Sequence, residues 1–212
     1  MADLQFFFDP VCPWAYITSR WVTEVQQQRN YDVSWKFISL FMINDERGYG
    51  EGKQAWRDGH FAGLQALRVA SAARAAAGND AVAAVYTALG KAIHADKRRP
   101  ESSGGMHNLL REVLTEAGLN PDWAKSADDE LHDEVIRYET KAALEATGKD
   151  VGTPILIFNP GSAEQSSFFG PVISKIPRGQ DALRLWDAVY TLATTSGMAE
   201  LKRSLRATPS FD

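Results

Sequence analysis

Between Leu4 and Val25 the hydrophobic pattern changes period, and the change falls on one short segment, Asp9-Pro10-Val11-Cys12-Pro13-Trp14. Leu4 to Phe8 is an apolar run of the length of a buried strand, closed by Asp9-Pro10. From Pro13 the residues Ala15, Tyr16, Trp21, Val22 and Val25 recur at helical spacing. Pro13 falls in the first turn, where a missing N–H costs nothing. Cys12 is therefore expected at a helix N-terminus. Asp32 to Leu40 then alternates, with Val33, Trp35, Phe37 and, at its margin, Ser39 on one face. The chain opens β-α-β.

The character changes after the loop Gly48-Tyr49-Gly50-Glu51-Gly52. From there to about Gly148 the sequence reads as successive helices. Gly78 can end the first and Asp80 can cap the second, whose apolar stripe is Val82, Val85, Tyr86, Leu89 and Ile93. A third runs from His107 to Ala117 and stops at Gly118. A fourth starts at Asn120-Pro121, and a longer one continues through Leu131, Val135, Tyr138 and Ala142. Strand character returns at Pro154 to Phe158. A Pro160-Gly161 turn then leads to a return strand at Ser167-Phe168-Phe169. A last long helix is expected from Arg178-Gly179 to Gly197. A short one holding Leu201 and Leu205 follows, and Thr208-Pro209-Ser210 reads as a loosely held tail.

The predicted class is α/β. With the helical block set aside, the order βαβ…ββα is that of a thioredoxin fold. The expected division is a thioredoxin-fold domain made of 1–47 and 150–212, with an inserted helical domain at 48–149. A chain of 212 residues can bury a core without disulfide staples, so the single cysteine is not needed for stability.

A formal net charge of −4 argues against a nucleic-acid partner, since phosphate contacts need clustered Lys and Arg. The cluster Lys97-Arg98-Arg99 reads as a solvated loop. The apolar runs fall well short of the roughly 20 residues a membrane helix requires, so no membrane partner is expected. The N-terminus lacks a cationic segment ahead of a long apolar one. With one cysteine and no such leader, a cytoplasmic, reducing location is expected.

Cys12 is the only cysteine in the chain. A Cys-x-x-Cys pair can cycle between dithiol and internal disulfide, but Ala15 occupies the fourth position. A lone thiol bonds only to another molecule and needs an external thiol for its release. At a helix N-terminus the macrodipole and free N–H groups can bring a Cys pKa from about 8.5 to roughly 3.5–7.5. A nucleophilic Cys12 near neutral pH is the expectation. The competing reading is a buried, inert cysteine. Trp14 offers a flat apolar surface beside the sulfur, or simply packs in the core. Tyr16, Trp21 and Trp56 read as core. His94 and His107 could donate protons, though nothing in their spacing favours it. Lys175 and Arg178 could meet an anionic cosubstrate or be solvated charge. No ligand spacing for a metal is present.

Several stretches carry a family resemblance. They are Phe8-Asp9-Pro10-Val11-Cys12-Pro13-Trp14, Ile17-Thr18-Ser19-Arg20-Trp21, Val151-Gly152-Thr153-Pro154, Phe168-Phe169-Gly170-Pro171-Val172-Ile173-Ser174-Lys175-Ile176-Pro177-Arg178-Gly179 and Glu200-Leu201-Lys202-Arg203. Together they resemble the DsbA-like thioredoxin-fold proteins and, more closely, the cytosolic mycothiol-dependent reductases of nitroreductase type. The departure is Ala15, which stands where that type carries the second cysteine of Cys-Pro-Trp-Cys.

The resemblance implies Cys12 as the catalytic residue and Pro13, Trp14, Ala15, Thr153 and Pro154 as substrate-binding residues. It implies that Pro154 is cis and leaves the Thr153 backbone free to pair beside the sulfur. It implies a thiol-dependent oxidoreductase with no tightly bound cofactor and no metal. A low-molecular-weight thiol, mycothiol, would be the cosubstrate, and a small electrophile or disulfide the substrate. A homodimer is an assembly the resemblance allows. The alternative is a thiol transferase or isomerase resembling the kappa-class glutathione transferases and hydroxychromene-carboxylate isomerases. There the first-turn residue holds the cofactor thiol and is usually Ser, which makes Cys12 a point against it.

Overall fold

The apolar runs of the sequence become the centre of a four-stranded sheet of order β2-β1-β3-β4 in the computed structural model, which describes residues 2–98 and 105–212. β1 (Leu4–Phe8) pairs parallel with β2 (Val33–Phe37) and antiparallel with β3 (Ile155–Phe158). The outer strand β4 (Ser166–Phe169) pairs antiparallel with β3. α1 (Pro13–Gln26) makes the crossover between the parallel strands. Alternation along the strands sorts the core onto two faces. Leu4, Phe6, Phe8, Trp35, Leu156 and Phe158 join α1 and the long helix α3 (Gln54–Gly90), while Phe7, Ile155 and Ile157 meet Ile38, Ile43 and Ala143 on the other face.

Where Asp32 to Leu40 reads as one strand, β2 stops at Phe37. Ser39 instead caps α2 (Leu40–Arg47), its hydroxyl accepting from Met42 N. α3 runs Gln54–Gly90 with a break at Gly78, whose φ of 79° is open to glycine but strained for other residues. Past Gly90 the helix passes through a π-helical turn, Lys91–Ala95. α4 (Gly105–Glu116) follows, and Arg99 of the basic cluster lies outside the described residues. Asn120 caps a 3-10 stretch, Pro121–Asp128, rather than an α-helix, and α5 spans Asp133–Thr147. Leu131 therefore lies outside α5 and is exposed. α6 covers Gly179–Thr194, stopping before Gly197. No helix forms around Leu201 and Leu205, which are both exposed. Among the described residues no helix is long and apolar enough to cross a membrane.

β2 leaves one edge unpaired, and the helical segments supply the missing partners from side chains. Asn79, freed from the helix by the break at Gly78, accepts from Trp35 N and donates to Val33 O, both at 2.8 Å, as a neighbouring strand would. Glu139 of α5 accepts from Phe37 N at 2.8 Å, and Thr140 Oγ1 accepts from Ser39 N at 2.9 Å. Glu139 is further held by Lys36 at 3.1 Å and Arg74 at 2.9 Å. An open edge is thus sealed, which removes a template for pairing with another chain.

The turn after β1 is built against α3 with no spare space. Asp9 is fully buried there, and a Cβ on Gly63 would fall 2.5 Å from Asp9 Oδ1 and 2.8 Å from Val11 Cγ2. Gly63→Ala therefore overpacks this contact and is expected to cost about 1–3 kcal/mol, read as a lowered melting temperature. A variant that melts with the parent would show that the turn yields freely.

Candidate active site

Cys12 is the N-cap of α1, with extended backbone (φ −81°, ψ 112°) and Pro13 at the first helical position. The turn behind it is tied to Asp9. Cys12 N donates to Asp9 O at 3.0 Å, while the Asp9 carboxylate accepts from Val11 N at 3.1 Å and Leu40 N at 2.8 Å. His94 Nε2 lies 2.8 Å from Pro10 O. The strand end, the cap of α2 and the π-helical turn converge on the four residues that precede the helix.

Two hydrogen bonds engage the sulfur, and the Trp14 amide lies near it as well. Ala15 N–H donates to Sγ at 3.5 Å, and Sγ donates to the Thr153 carbonyl at 3.4 Å. The Thr153-Pro154 peptide is cis, as the resemblance implies, and so is Gly170-Pro171, which the sequence did not single out. The Thr153 hydroxyl turns away and donates to Phe7 O at 3.0 Å. Segments 141 residues apart are thereby brought to one atom.

The site is closed. Cys12 is only 7% exposed, Ala15, Thr153 and Pro154 are buried, and Pro13 and Trp14 are half-buried. Burial pushes the thiol up to about 12, the Ala15 N–H opposes this, and the nearby Asp9 adds to it. This departs from the low value expected of a helix N-terminus. A few N–H groups cannot replace the water that a buried thiolate loses. Donation to Thr153 O likewise favours the neutral thiol, so the resting group is a thiol. Burial also pushes the Asp9 carboxyl up to about 7, against the two amides that favour its ionised form.

Of the residues expected around the sulfur, Cys12, Ala15 and Thr153 meet directly. Ala15 contributes its amide and no side-chain chemistry. Tyr16 and Trp21 are core, but Trp56 is 67% exposed and not core. His94 addresses the turn backbone and stacks with Tyr16 at 5.3 Å. His107 sits 3.1 Å from Asp128, and Arg178 pairs with Glu24 at 3.1 Å. A cavity of about 570 Å³ between α1, β2 and α3, lined by Thr23, Gln26, Trp35, Asn79 and Thr87, does not include Cys12. Among the described residues no cluster of His, Cys, Asp or Glu could hold a metal.

Asp9 and Gly63 were invisible as site residues in the sequence, where Asp9-Pro10 signals only a turn. The one clue was an acid closing an otherwise wholly apolar strand. Nothing in local sequence pairs Asp9 with Leu40 or Gly63, because those contacts join separate elements.

The chain is similar to known proteins. A family described as the Rv2466c-like mycothiol-dependent nitroreductases matches residues 11–203. The uncharacterized protein Rv2286c of Mycobacterium tuberculosis is 30% identical over 205 residues, 96% of this chain and 82% of that protein. Among solved structures, the cytosolic disulfide reductase DsbM from Pseudomonas aeruginosa with GSH superposes with a TM-score of 0.56 at 16% identity, covering 89% of this chain and 99% of that one. The disulfide oxidoreductase DsbA from Proteus mirabilis gives 0.51 at 14% identity, covering 92% and 89%. These likenesses establish the thioredoxin fold with a helical insertion. With the family match spanning nearly the whole chain, this protein belongs to the Rv2466c-like family of mycothiol-dependent nitroreductases and is a thiol-dependent oxidoreductase.

Proposed function

We propose that Cys12 carries a monothiol cycle with mycothiol as the cosubstrate. The observation that supports this most is the meeting of Cys12 Sγ with Ala15 N–H and Thr153 O, with no second thiol in the chain. The Cys12 thiolate attacks one sulfur of a mixed disulfide R–S–S–R′. A Cys12–S–S–R bond forms, and R′ leaves as a thiolate that takes up a proton. A second R–SH, as its thiolate, then attacks the R sulfur, releasing R–S–S–R and Cys12. Ala15 cannot resolve the intermediate, so the second thiol comes from solution.

Thr153 O and the amide of Ala15 are the groups that orient the adduct, the half-buried Pro13 and Trp14 form the lip, and Pro154 backs the sulfur. The same reading takes 1–47 and 150–212 as the thioredoxin-fold body and 48–149 as the inserted helical domain. The side-chain seal along β2 supports it, since that seal joins two separately patterned units. It assigns the chain to a reducing cytoplasm, where a lone thiol stays free. A homodimer is the assembly this reading allows.

Intact-mass analysis after exposure to the disulfides of mycothiol, glutathione and coenzyme A tests the reading. One adduct, selective for mycothiol and reversed by free mycothiol, is expected, with none in Cys12→Ser. Turnover should fall by about a thousandfold or more in that variant. Full turnover by Cys12→Ser would end the proposal. Conjugation without any adduct would point instead to the transferase or isomerase chemistry. In Ala15→Cys the adduct should become short-lived, since an internal thiol can displace it.

The resting thiol also gives a pH signature. With Cys12 raised to about 12 when folded against about 8.5 when unfolded, the folded state holds its proton longer. Its stability contribution is present below about pH 8.5 and is lost as pH rises toward the folded value. The urea midpoint of the parent should therefore drop more between pH 8 and 10.5 than that of Cys12→Ser. Equal drops would mean that the thiol is not desolvated.

A further inference from the structure

We propose that residues 206–212 form a strap which closes over the first turn of α1 and must undock before Cys12 takes up a thiol partner. The inference rests on the reading of Cys12 as the reacting group. Beyond α6 the chain leaves regular structure, and the stretch to Leu205 is exposed, with Leu201 and Leu205 at 74% and 89%. An exposed stretch of this kind is expected to be loosely held. Instead its last residues return to the protein.

Arg206 Cζ lies 5.9 Å from the centroid of the Trp14 ring. Ser210 N donates to Ser174 O at 2.7 Å. The Phe211 ring sits 6.1 Å from Tyr16 and 5.6 Å from His94, stacked on the latter. The placement of these contacts is informative. Trp14 and Tyr16 follow Cys12 on the first turn of α1, whereas His94 holds Pro10 on the other flank. The strap thus rests on the residues that follow Cys12 in the first turn of α1 and on the His94 ring stacked against them, and Phe211 packs against the core cluster that contains Cys12.

The strap is also lightly held. It has no regular secondary structure, and Asp212 bonds within it, to Ser210 Oγ at 3.1 Å. Among the described residues a single ring, one backbone hydrogen bond and one cation-π contact tie it down, and a competing partner can replace these. Beside these contacts Cys12 is 7% exposed, and its Sγ is directed at Thr153 O. Disulfide exchange needs the attacking sulfur to approach the attacked one directly, and the closed arrangement gives a second sulfur no such path. Opening the strap would admit both the partner and water, and the water would stabilise the thiolate.

The test uses the rate at which Cys12, the sole thiol, reacts with iodoacetamide at pH 7.5. Phe211→Ala and a chain ending at Leu205 should each react at least tenfold faster while keeping the parent's circular dichroism. Leu205→Ala, in the exposed stretch, should react at the parent's rate. Should the shortened chain fail to fold, Phe211→Ala and hydrogen exchange on the full chain decide. In the latter, the Ser210 amide should lose protection once Cys12 carries mycothiol or, failing that adduct, glutathione. Unchanged labelling in folded Phe211→Ala, or a Ser210 amide still protected in the adduct, would overturn the strap. The alkylation reads access to the sulfur whether or not Cys12 turns over a substrate, so its failure is distinct from failure of the catalytic reading.

Discussion

The buried carboxylate of Asp9 organises the end of the molecule on which the cysteine sits. Its two oxygens are occupied by amides from different places, Val11 within the turn and Leu40 at the start of α2, while its own carbonyl takes the Cys12 amide. A charge in the interior is costly unless hydrogen bonds replace its water. The chain must therefore deliver those amides, and in doing so it sets the path of the turn, the entry of α2 and the close approach of α3 at Gly63. The same desolvation raises Asp9 and Cys12 together. Near this sulfur two influences oppose one another, the N–H groups of a helix start and the loss of water, and loss of water is the larger because the sulfur is almost wholly covered.

The second constraint is the edge of β2. A four-stranded sheet of this order ends in a strand with free backbone groups, and the helical segments answer them one by one through Asn79, Glu139 and Thr140. Apolar contact alone would hold the helices against the sheet without fixing their register. Hydrogen bonds from particular side chains to particular amides set that register. Through α3 they also set where Gly63 and, beyond it, the π-helical turn with His94 meet the cysteine loop. The position of the site therefore depends on how the inserted helices dock as much as on the strands beneath it.

Much of this was legible in the residues. The strand, the Cys-Pro helix start and the alternation of Val33, Trp35 and Phe37 follow from local patterning. The break at Gly78 and the cis Thr153-Pro154 peptide were also expected, the latter through resemblance. The failures share a cause. Ser39 reads as one more strand position until the chain turns and uses it as a cap. Leu201 and Leu205 have helical spacing but no surface to pack on, so no helix forms. Trp56 reads as core by composition and lies in solvent. The tail looks loose because nothing in Thr208-Pro209-Ser210 reveals that Phe211 has an aromatic partner in His94.

The sequence by itself determined the chemistry available: one thiol, a proline after it to start a helix, an alanine where a resolving cysteine would stand, and a βαβ…ββα order that brings the loop at Pro154 to the same end of the sheet. These are properties of residue type and spacing, which local physics reads directly. The tertiary structure alone decided the state of that thiol. Whether Cys12 rests as a thiolate or a thiol depends on how much water reaches it. Burial, Asp9 and the Thr153 carbonyl decide that, and they come from parts of the chain far apart in sequence and adjacent only once folded.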